Sequence, residues 1–142
     1  VRLKEVARVD NLGKPLEVFT TVRFFNKVAY AVTFQRTDPF YVIDVSNNLK
    51  PAVLGELNIT GFSEYLHPIN DDNTLLLAVG KEADKRGRVL GLQMTLFDAV
   101  DPVNPKLIQR FVVENDKYTS SHSRASFDFK AFRYVSLGTE VG

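Results

Sequence analysis

YVIDVSNNLKPAVLGEL, Tyr41 to Leu57, reads as a strand, a polar turn and a second strand. Val42, Ile43, Val53 and Leu54 supply β-branched and aliphatic pairs, and Asn and Pro fill the gap with turn chemistry. The same design returns at TLFDAVDPVNPKLIQRF, Thr95 to Phe111. A shift of 54 residues lays Asp44 on Asp98 and Pro51 on Pro105, and the apolar pairs on either side coincide. The upstream strands recur at a shift of 47, with AYAV (Ala29 to Val32) falling on LLAV (Leu76 to Val79). The difference of seven residues is taken up between QRTDP and the longer charged KEADKRGRVLG, Lys81 to Gly91. Length change confined to a hairpin tip is the behaviour of a structural repeat.

Each copy predicts four strands. In the first they are Thr21–Phe25, Lys27–Phe34, Phe40–Val45 and Ala52–Ile59. In the second they are Tyr65–Pro68, Thr74–Val79, Leu90–Phe97 and Leu107–Val113. Arg2 to Val9 reads as the last strand of a preceding copy, and SFDFKAFRYVSL (Ser126 to Leu137) as the start of a following one. Ile59 to Pro68 is the best helical candidate, and Pro68 limits it to a turn or two. Four strands per roughly fifty residues, repeated, is the pattern of a β-propeller blade. The expected fold is therefore all-β, a fragment of a propeller with about two full antiparallel blades and parts of two others. Residues 1–20 close one blade, 21–59 and 60–113 form two, and 114–142 open another.

The 142 residues, 44% of them hydrophobic, suffice for a core. Eighteen basic and seventeen acidic residues leave a net charge of +1, which gives no general attraction to nucleic acid. With no cysteine, disulfides, thiolate metal sites and cysteine catalysis are excluded. No apolar run approaches the ~20 residues of a helical membrane span. The first residue is Val, as expected of a piece of a longer protein.

The strings VRF (Val22 to Phe24), TDPFYVIDVS (Thr37 to Ser46), PAVLGEL (Pro51 to Leu57) and GFSEYLHP (Gly61 to Pro68) resemble a known family. It comprises secreted bacterial and archaeal proteins with a C-terminal β-propeller distantly related to WD repeats. GRVLGLQMTLFDAVDPVNPK, Gly87 to Lys106, continues the likeness. In SFDFKAF the family pattern places a His where this chain has Phe129. The resemblance implies a propeller and export to the cell surface or beyond. It brings no catalytic residues.

His67, in YLHP, lies close to Glu64, and with Asp128 these are the acid–base candidates near first-strand positions. A lone His without a converging partner more often fixes a strand than drives chemistry. His122, among Ser120, Ser121 and Ser123, reads as a solvated loop, because catalytic partners converge from separate segments. NDDNT, Asn70 to Thr74, lacks the spacing and distant Glu of a calcium loop and reads as a turn. Asp44 and Asp98 fit Asx-turns. No phosphate loop, HExxH or GxSxG is present. The expectation is a non-catalytic binding module of an exported or cell-surface protein, taking a protein or glycan partner. It needs no cofactor or metal, and the fragment self-associates through its unpaired faces. The alternatives are a hydrolase or lyase with its site at the channel mouth, and a purely structural role.

Overall fold

The computed structural model describes residues 2–13, 17–34, 38–84, 86–116 and 120–135. Eight strands form two antiparallel sheets, each in simple meander order. The first blade holds β1 (Val18–Phe25), β2 (Val28–Phe34), β3 (Asp38–Asp44) and β4 (Ala52–Ile59). The second holds β5 (Phe62–Pro68), β6 (Leu75–Ala83), β7 (Val89–Asp98) and β8 (Lys106–Glu114).

The repeat extends to the irregularities. β4 bulges at Leu54 and β8 at Ile108, positions 54 residues apart. β1 bulges at Thr20 and β5 at Glu64, both next to the same strand pair. Bulges bend and twist a strand, so matched bulges give the two sheets matched curvature. The turns match too. Asp44 Oδ1 accepts the Ser46 N–H at 2.8 Å, and Asp98 Oδ1 accepts that of Val100 at 2.8 Å. One turn on, Asn47 Oδ1 accepts from Leu49 and Asp101 Oδ1 from Val103. Asn26 (φ 51°) and Asn73 (φ 57°) take the left-handed conformation at the equivalent first turns, which Asn tolerates better than most residues.

Period-two alternation gives each blade two apolar faces. Tyr30, Val32, Phe40 and Val42 form the forward face of the first blade and pack on Leu66, Leu76, Ala78 and Phe97, the back face of the second. Phe40 and Phe97 stack at 4.6 Å between centroids, and Tyr30 donates to the Asn73 carbonyl at 2.8 Å. Gly55 lets β4 approach the turn after β7, since a Cβ there would lie 2.5 Å from the carbonyl oxygens of Pro102 and Val103.

Three strand or helix expectations are corrected. Arg2 to Val9 forms no strand: it lies across the back face of the first blade, where Val9 and Leu12 pack on Ala29, Ala31, Tyr41 and Ile43. Lying on a face and not along an edge, it meets no ladder to complete. Ile59 to Pro68 is not helical, because Gly61 (φ 79°) turns the chain and β5 then pairs with β6. From Ser126 onward there is no strand among the described residues. Ser123 and Asp128 instead cap two 3-10 turns, Arg124–Ser126 and Phe129–Ala131.

Candidate functional site

Alternation along β5 puts Tyr65 and His67 on one face, the forward face of the second blade, two residues apart. The Tyr65 hydroxyl lies 3.0 Å from His67 Nδ1. With the imidazole in its Nε2–H tautomer, Nδ1 accepts the phenolic proton. Phe132, arriving from the segment after β8, closes over both rings at 5.2 Å from Tyr65 and 5.1 Å from His67. Tyr134 adds a further ring 6.2 Å from His67. Arg23 of β1 reaches from the first blade to within 5.5 Å of the Tyr65 ring centroid, in cation–π range. Burial, and then the nearby Arg23 charge, push the His67 pKa down, so the imidazole is neutral at pH 7.

The structure does not bring the three acid–base candidates together. Glu64 is the extra residue of the β5 bulge, and its Oε2 is buried without a hydrogen-bond partner among the described residues. Asp128 caps the second 3-10 turn, accepting the Lys130 N–H at 3.1 Å. His67 is held by Tyr65 and enclosed by rings. Each side chain thus has its own local setting, and no proton path joins them. His122 is exposed, and NDDNT is the turn between β5 and β6, where Asn70 Oδ1 accepts the N–H groups of Thr74 and Leu75. Among the described residues no group of three His, Asp or Glu is placed to hold a metal. No described helix is long and apolar enough to cross a membrane.

Two features escaped the sequence reading. One is a polar half to the seam between the blades. There Arg110 Nη1 donates to Thr60 Oγ1 at 2.7 Å and to Glu82 Oε2 at 3.1 Å, near buried Ser63, Gln93 and Thr95 on the same sheet face. The partners lie 28 and 50 residues from Arg110, beyond any local pattern. The other is a cleft of about 610 Å3 at the turn end of the seam. Its floor is Phe25, Val28, Tyr30 and Ala99, and its rim carries Lys27, Asp72 and Asn73. Volume and lining fall within the range of ligand clefts. Asn26 and Asn73, in equivalent turns, were its legible trace.

The chain resembles two archaeal proteins, both described only as uncharacterized. One, of Archaeoglobus fulgidus, is 41% identical over 113 residues, covering 80% of this chain and 17% of that protein. The other, of Methanocaldococcus jannaschii, is 40% identical over 109 residues, covering 77% of this chain and 16% of that protein. The chain therefore spans about one-sixth of the length of these relatives. No solved structure matches it. The beta propeller domain model matches residues 1–137, and with the paired four-stranded blades on the page, the chain belongs to the beta propeller domain family.

Proposed function

We propose that the chain is a non-catalytic binding module of an exported or cell-surface protein, recognising a protein or glycan through turns at the blade seam. The observation that carries this reading is the cleft of about 610 Å3 formed jointly by turns of both blades. It sets exposed Lys27 and Asp72 at the rim of an apolar floor, a combination that binds a partner with apolar body and polar edges. The separate structural settings of His67, Glu64 and Asp128 weigh on the same side, since acid–base catalysis requires convergence on a reacting atom. The extracellular setting rests on the resemblance of the motif strings.

The test is binding of the purified chain to arrays of oligosaccharides and peptides, repeated with Lys27→Ala combined with Asp72→Ala. Binding reduced at least ~10-fold with unchanged melting temperature is the expected result. Binding indifferent to both changes would contradict the cleft. Turnover of a glycoside or peptide that disappears in His67→Ala would establish the enzymatic alternative.

A further inference from the structure

The two outward faces of the blade pair are the same two surfaces that already meet inside it. At the seam, Tyr30, Val32, Phe40 and Val42 pack on Leu76, Ala78 and Phe97. By the repeat, Leu77, Val79, Met94 and Leu96 stand where those forward residues stand, and Ala29, Ala31 and Ile43 stand where those back residues stand. Neither outward face is sealed. On the back face Val9 and Leu12 leave a groove of about 290 Å3 against Phe19, Val22, Phe24 and Ala31. On the forward face a groove of about 300 Å3 runs along Leu77, Met94, Leu96 and Phe111. Phe24 is 70% exposed and Phe111 57%, yet Leu66 and Leu57, which correspond to Val22 and Phe111, are part of the internal seam or packed against it.

We propose that the occupant of these faces is a second copy of this chain, the forward face of one seated on the back face of the next. Because the two faces differ, the contact is head-to-tail, and such contacts close into rings when the rotation permits. Propellers close with four to eight blades, so two blades per chain give a ring of two to four copies. The Val9–Leu12 and Ala125–Phe132 segments, which cover parts of these faces, shift aside when copies dock. This is independent of the binding cleft, and its failure leaves that reading standing.

Light scattering coupled to size-exclusion chromatography tests it. The chain of 16.0 kDa is expected to elute as one discrete species of two to four masses. Val22→Glu on the back face, or Phe111→Glu on the forward face, is expected to give monomer with an unchanged circular dichroism spectrum. Mixing the two variants restores one intact contact, and a 1:1 complex is expected. A wild-type monomer at ~100 µM overturns the proposal whatever the variants do. So does a folded variant that keeps the wild-type mass, or a mixture of folded variants that stays monomeric, which would exclude head-to-tail contact.

Discussion

Gly61 joins the two blades with φ 79°, and a Cβ there would collide with the Lys81 carbonyl oxygen. Gly61→Ala is therefore expected to cost about 1–3 kcal/mol in chemical denaturation, and a loss under 0.5 kcal/mol would contradict the geometry. His67 gives a pH signature. Its folded pKa lies below the ordinary imidazole value near 6.5, so on acidification the unfolded chain binds the proton first. The contribution is fully present above about pH 6.5 and is lost as pH falls through the window just beneath it. His67→Gln should flatten the fall in melting temperature between about pH 7 and 5.5. The depressed Asp44, Asp84 and Asp101 carboxylates act only at lower pH. Thr95 offers a third test: its hydroxyl is buried without a partner among the described residues. Thr95→Val should raise stability by about 1 kcal/mol, since the orphaned polar atom is removed at constant shape. The Tyr65–His67 pairing was legible once β5 was read as a strand, because residues two apart share a face. Phe132 and Arg23 were not, because they arrive from other elements.

At the scale of elements, matched turns make matched predictions. Asp44→Ala and Asp98→Ala each remove one Asx-turn acceptor at equivalent sites. Both should lower the melting temperature, and by similar amounts, as differential scanning calorimetry would show. A drop in only one would mean that the turns are not equivalent. These turns and the β2, β3, β6 and β7 strands were legible because their residues carry the information locally: β-branched runs bounded by Asn, Asp and Pro. The ends were not. β1 and β5 begin earlier than expected, at Val18 and Phe62, because the bulges at Thr20 and Glu64 let pairing continue past an irregular position. Arg2 to Val9 and the run from Ser126 have strand-like composition, and what decides their conformation is whether an edge is within reach.

At the scale of the whole molecule, stability is shared across the seam. Repeat architectures bury apolar faces against neighbours, so one blade without the other lacks the surface that Tyr30, Phe40, Leu76 and Phe97 cover together. The offset of 54 residues made blade identity legible. It could not show which face meets which, because that depends on a pairing between residues such as Phe40 and Phe97 that no local pattern links. The most direct measurement is a double-mutant cycle in urea across the Phe40–Phe97 stack. Each change to Ala should cost about 3–5 kcal/mol, with a coupling of about 0.5–1.5 kcal/mol and one cooperative transition for the whole chain. Additive losses with two separate transitions would mean that the blades fold independently, and would contradict the forward-on-back seam.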